Sequence, residues 1–255
     1  MIPETARKRW PDFLLIGAPK AGTTALFSTL SKHSRIYASP EKEPRFFIGP
    51  GSKPDFPCPG GGHNADRIIC LEKDYLDLFK NCPDQSRAGE ASTAYLHHPA
   101  APANAFGKVP GARIIAVLRH PVERAYSQWL HLRQEGFEDS ADFEIAWNLE
   151  QERKEKGWRT AWLLRERGFY AEQLDRWLGY YPREQLLILF YDDWLERPLE
   201  TLSSICTHLG ISDFDAPSLS SENVSSRQPR WKWLHHRMVQ DNALRAWTVT
   251  EHQSH

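Results

Sequence analysis

Apolar positions along this 255-residue chain alternate between two patterns. Short uninterrupted runs have the length and β-branched content of strands buried on both faces: Phe13-Leu14-Leu15-Ile16, residues 113–118 around Ile114-Ile115-Ala116-Val117-Leu118, and residues 185–191 around Leu186-Leu187-Ile188-Leu189-Phe190. Between them apolar residues recur at helical spacing, at 25–30 after the first run, 74–80, 121–134, 143–154 and 170–180, the last carrying Leu174, Trp177 and Leu178 on one face. A further helix is capped by Asp192 or Asp193 and ends at Gly210. Weaker strands fit residues 35–37 and 87–91, and residues 48–64 turn to Gly and Pro as a surface loop that can act as a lid. Buried strands alternating with helices predict an α/β chain with a central, mainly parallel sheet flanked by helices in three layers, one domain over residues 1–255.

The connection after the first strand narrows this picture. Gly17-Ala18-Pro19-Lys20-Ala21-Gly22-Thr23-Thr24 lies between strand and helix, where backbone N–H groups and a helix start face an anion. Gly17, Gly22 and Thr24 fit the spacing of the nucleoside-triphosphate loop, but position 23 is Thr and the lysine, Lys20, sits inside the loop. That displacement favours a nucleotide with one phosphate on its 5′ side and a transferable group attached. The strand at 113–118 runs into Arg119-His120-Pro121-Val122-Glu123-Arg124-Ala125-Tyr126-Ser127. Arg119 stands at a strand's carboxyl end, and with a tight turn Ser127 joins it in holding a second phosphate.

Composition excludes several classes. Lys+Arg (32) and Asp+Glu (33) nearly cancel, so no overall basic excess recommends nucleic acid. The apolar runs are too short to span a bilayer, and the first ten residues lack a signal peptide's apolar stretch, which leads us to expect a soluble cytoplasmic protein. Cys58, Cys70, Cys82 and Cys206 have no paired CxxC spacing, and no metal site is expected. Asn223-Val224-Ser225 matches a glycosylation sequon read as accidental.

The two phosphate motifs, in this order, resemble the sulfotransferases that use 3′-phosphoadenosine 5′-phosphosulfate (PAPS), above all the bacterial and heparan-type branch. The resemblance continues through residues 90–96, 168–174 and 181–193 and covers roughly 12–210. It implies a P-loop-type fold and sulfuryl transfer to a hydroxyl of a sugar, lipid or small metabolite, without a metal. It implies that Lys20 contacts the oxygen bridging sulfur and the 5′-phosphate, that Ala21, Gly22, Thr23 and Thr24 hold that phosphate, and that Arg119 and Ser127 hold the 3′-phosphate. Glu43, before Pro44-Arg45-Phe46-Phe47, matches the base of the heparan-type branch. Glu41 lies on the same side if the segment is extended; Phe46 and Phe47 are expected to desolvate Glu43 and raise its basicity; Glu90, His97 and His98 stand behind it. The chain departs from the pattern at Ala91, where heparan-type enzymes often carry a lysine; Lys42 and Arg45 are candidates to replace it. The tail after 211 fits poorly, with Arg227 the nearest match to a basic closing loop. Trp158 and Trp162 are open to sugar stacking or packing. Two rival readings are an ATP- and Mg²⁺-dependent kinase, which calls for lysine at position 23, and a non-catalytic nucleotide-binding protein on the same fold.

Overall fold

A computed structural model describes residues 9–51 and 68–214. Five parallel strands form one sheet in the order β2-β3-β1-β4-β5: β1 (Phe13–Gly17), β2 (Ile36–Ala38), β3 (Arg87–Ala91), β4 (Arg113–Leu118) and β5 (Leu186–Phe190). The centre is β1, where Leu14 pairs with Glu90 on one side and Ile114 on the other. All five of its residues are buried, which is why the run carries no polar alternation. Gly89 is required by packing, since a Cβ there would lie 2.1 Å from the Phe13 ring.

Helices cover the sheet: α1 (Thr23–Leu30), α2 (Glu72–Asp77), α3 (Ala101–Phe106), α4 (Pro121–Gln134), α5 (Phe143–Asn148), α6 (Glu150–Glu155), α7 (Tyr170–Leu178), α8 (Tyr191–Glu196) and α9 (Pro198–Leu209). The chain leaves β1 toward the β2 edge and later crosses to β4 on the other side. The loops after β1 and β4 therefore part at the carboxyl edge of the sheet, where open α/β sheets bind ligands.

Three helical expectations change in detail. The segment 192–210 is two helices, because Pro198 drives Arg197 out of the helical region, to φ −132° and ψ 60°. Neither Asp192 nor Asp193 is the cap; both lie in the first turn of α8, and Phe190 precedes it without a side-chain cap bond. Residues 143–154 form α5 and α6, joined at Leu149. Helix α3 was not expected, since Ala100-Ala101-Pro102-Ala103 has no apolar period; Pro102 sits in its first turn, where a missing N–H is harmless.

A satellite core of Ala125, Trp129, Ala146 and Leu164 joins α4, α5 and the segment before α7. Among the described residues no helix is long and apolar enough to cross a membrane. The glycine-rich stretch within 52–67 and the tail from 215, with Arg227 and the sequon, lie outside the described residues.

Candidate active site

The loop after β1 is built for close approach. Gly17 has φ +144°, and a Cβ there would come within 2.9 Å of Leu96 Cβ. Gly22 has φ +75°, and a Cβ would meet the Tyr191 ring at 2.8 Å. Both positions need glycine on conformational and steric grounds. Lys20 is not glycine yet holds φ 66°. Helix α1 begins without a side-chain cap and without an acid in its first turn, leaving its first N–H groups and their positive end open. Thr23 is buried and Thr24 exposed at that end. Burial, and then the charge of Arg119, lowers the Lys20 pKa.

Arg119 follows β4 and faces this loop: its Nη1 donates to the Lys20 carbonyl at 3.1 Å. Its Nε and Nη2 lie 3.3 Å from Glu123 Oε2, and its guanidinium stacks on the Tyr191 ring at 4.8 Å. Tyr170 Oη donates to its carbonyl at 2.9 Å. Glu123 and Ser127 are four residues apart on α4 and share a face. Ser127 is half-buried on α4, one turn beyond Glu123.

Glu43 lies beside the end of β3, its N–H donating to the Ala91 carbonyl at 2.9 Å. Its carboxylate accepts from Thr93 Oγ1 at 2.8 Å, from Thr93 N–H at 3.1 Å and from Arg45 Nε at 3.2 Å, and Lys42 Nζ stands 3.5 Å away. The segment is not extended. Glu43 and Arg45 take φ 62° and 56°, so the same-side argument for Glu41 fails, and Glu41 is exposed. Phe46 and Phe47 are buried against Trp10, Tyr75 and Tyr95, and anchor the segment as expected. Their expected effect on basicity is overturned: burial pushes the Glu43 carboxyl up, but Arg45, Lys42 and the Thr93 hydrogen bonds outweigh it and leave the pKa below the ordinary value. Both candidates for the cation missing at Ala91 are thus drawn onto Glu43.

The other acid and the histidines behave differently. Glu90 is fully buried and accepts from Tyr95 Oη at 2.6 Å, Ser92 Oγ at 2.8 Å and Tyr75 Oη at 3.0 Å. Burial raises its pKa to about 7 against those three donors. Ser92 Oγ in turn accepts the Arg45 N–H, and Tyr95 Oη the Phe47 N–H, so Glu90 fixes the segment carrying Glu43 rather than meeting an acceptor. His97 is half-buried, with Nε2 2.7 Å from Thr160 Oγ1, and desolvation followed by nearby Arg167 holds it neutral. His98 is half-buried and lowered by burial. Trp162 is a core residue, edge-on to Trp158, whose ring carries the Arg153 guanidinium.

Sequence reasoning missed four residues here. Tyr191 closes the loop, Thr93 grips Glu43, and Arg124 and Arg167 are buried beside the site. Arg124 lies within the second motif, but nothing in its spacing separates a buried arginine from a solvated one. Among the described residues no group of three or more His, Cys, Asp or Glu is placed to share a metal ion.

Known proteins resemble this chain in sequence and fold. A crystal structure of a sulfotransferase from Alicyclobacillus acidocaldarius superposes with a TM-score of 0.76 at 31% identity, covering 84% of this chain and 88% of that one. The bifunctional heparan sulfate N-deacetylase/N-sulfotransferase 2 of Homo sapiens is 30% identical over 223 residues, 81% of this chain and 22% of its own length. The type 3 enzyme of Mus musculus is 32% identical over 216 residues, 80% of this chain and 23% of its own length. The chain therefore spans about a fifth of the length of these curated relatives. The sulfotransferase domain family matches residues 10–232, and with the loop, the arginine and the carboxylate in place, the chain belongs to that family.

Proposed function

We propose that the protein transfers a sulfuryl group from PAPS to an acceptor hydroxyl or amine, with Glu43 as the base. The observation that supports this reading is the meeting of the two motif loops at the sheet edge: Arg119 reaches from the end of β4 to the carbonyl of Lys20 in the loop after β1. The pair fits a nucleotide with phosphate at both ends. Gly17 and Gly22 leave the backbone bare, α1 starts without an acid, and no ion pair joins Lys20 to an acid among the described residues.

Ala21, Gly22, Thr23 and Thr24 would hold the 5′-phosphate on the helix start, and Arg119 and Ser127 the 3′-phosphate. PAPS supplies an activated sulfuryl group whose leaving partner is a phosphate. Lys20 donates to the oxygen on which charge grows as the S–O bond breaks, a stabilisation worth about 3 kcal/mol in comparable sites. Glu43 takes the proton from the attacking oxygen or nitrogen. Its lowered pKa keeps it ionised at neutral pH, and its grip on Thr93 and Arg45 fixes its aim. Two relatives are named for N-sulfation of heparan sulfate, which adds an amino sugar to the acceptors worth testing.

Calorimetry with 3′-phosphoadenosine 5′-phosphate (PAP), followed by radiolabelled PAPS with hydroxyl and amino sugars, lipids and small alcohols, tests the reading. Arg119→Ala should weaken PAP at least tenfold, the worth of one charged hydrogen bond. Lys20→Ala should slow transfer about a hundredfold. Unchanged PAP affinity in Arg119→Ala, or a melting shift with ATP–Mg²⁺ and none with PAP, would reject it. PAP binding with no transfer to any acceptor would favour the non-catalytic reading.

A further inference from the structure

Sulfuryl transfer places negative oxygens beside the base, yet the nearest cations, Lys42 and Arg45, are held by Glu43 itself. Among the described residues, no ion pair joins Arg124 or Arg167 to an acid. Arg124 on α4 is fully buried; its Nη2 donates to the Leu164 carbonyl, while Nε and Nη1 have no hydrogen-bond partner among the described residues. Arg167, in the 3-10 turn Glu166–Gly168, is 7% exposed with its Nε unpartnered, and no ion pair joins it to an acid among the described residues.

The turn that presents Arg167 is fixed on three sides. Glu150 accepts the N–H groups of Arg165 and Glu166, Gln173 Nε2 donates to the Glu166 carbonyl at 3.1 Å, and Gly168 is pressed on Pro121 so that a Cβ would sit 3.0 Å from the proline Cβ. An arginine side chain buried without its donors satisfied is costly, and rigid support keeps it from swinging out to water. Arg167 lies close enough to Glu43, Arg45 and Arg124 to feel all three charges, and burial and Arg124 bring its pKa down to about 9. His97 beside it is neutral and adds no charge. The arrangement is a cationic position waiting for an anion on the Glu43 side of the site.

We propose that Arg167, backed by Arg124, binds an oxyanion at the reaction centre: the sulfuryl group of the donor, or an acid group on the acceptor next to the reacting atom. This rests on the sulfuryl-transfer reading above. The test titrates PAP-loaded protein with sodium sulfate, then with glucuronate against glucose as the uncharged control. Sulfate that binds the parent protein and loses at least about tenfold in affinity in Arg167→Gln, with PAP affinity kept, assigns the oxyanion to the donor. The same loss for glucuronate, with glucose indifferent, assigns it to the acceptor. Sulfate and glucuronate both insensitive to Arg167 overturn the proposal alone, whereas failure of the parent protein to bind PAP overturns the underlying reading with it. Should Arg167→Gln not fold, a crystal of the parent protein with PAP and sulfate decides: sulfate on the Arg167 guanidinium supports the proposal, and sulfate on Lys42 or Arg45 with Arg167 out of reach overturns it. Arg167→Lys should keep part of the sulfate affinity, since the charge stays and the two-pronged fork is lost.

Discussion

Two carboxyl groups stand on neighbouring backbone and are tuned in opposite directions. Glu43 lies among two cations and a threonine and is held ionised; Glu90 lies among three hydroxyls in full burial and is pushed toward neutrality. Both have good hydrogen bonds, so bond count does not explain the contrast. What differs is formal charge nearby. Hydroxyl donors offset only part of the cost of burying an anion, whereas Arg45 and Lys42 together with Thr93 outweigh it. The cationic pair keeps Glu43 ionised, as the proposed base role requires, and the hydroxyl cage makes an anchor for the segment that carries it.

Breaking the working side should have the largest effect. Glu43→Gln should lower transfer about 10²- to 10⁴-fold with PAP affinity retained, as expected for loss of a general base. Turnover within a few-fold of the parent would remove Glu43 from that role. The anchor should show itself in stability. The folded-state pKa of Glu90 is raised, so its contribution is full below the unfolded value of about 4.3 and is lost as pH rises through about 7. Urea denaturation at pH 5 and pH 8 should show a loss on the order of 3 kcal/mol that disappears in Glu90→Gln. Equal pH slopes in the two proteins would contradict the raised value.

The smallest effect sharpens the contrast. Glu43 has a lowered pKa, so its ionised form is lost only as pH falls below the ordinary value of about 4.3, and the acid limb of kcat/KM should lie there. Thr93→Val removes the hydroxyl donor and should move that limb up, with a modest loss of rate. A limb that does not move would show that Arg45 and Lys42 alone set it.

The parts legible in the sequence are those written in consecutive residues. Strand β4 falls where its apolar run places it and helix α4 starts at Pro121 as expected, while β3 occupies the expected residues 87–91 without an apolar run. The loop from Gly17 to Thr24 is legible because glycine spacing reports backbone geometry directly. The direction of the Glu43 shift was not legible, because Phe46 and Phe47 announce burial while the turn that brings Arg45 and Thr93 onto the carboxylate depends on positive φ at residues that are not glycine. Arg124 and Arg167 were missed for a related reason. Arg124 is tied to the Leu164 carbonyl 40 residues away, and the turn that carries Arg167 is tied to Glu150 15 and 16 residues away.

Among the described residues, the non-glycine positions with positive φ are Lys20, Glu43 and Arg45. Each such conformation costs on the order of 1 kcal/mol, which glycine would recover. A laboratory selection for heat resistance alone should therefore drift toward glycine at 20, 43 and 45 and arrive at a sturdier protein with its chemistry erased.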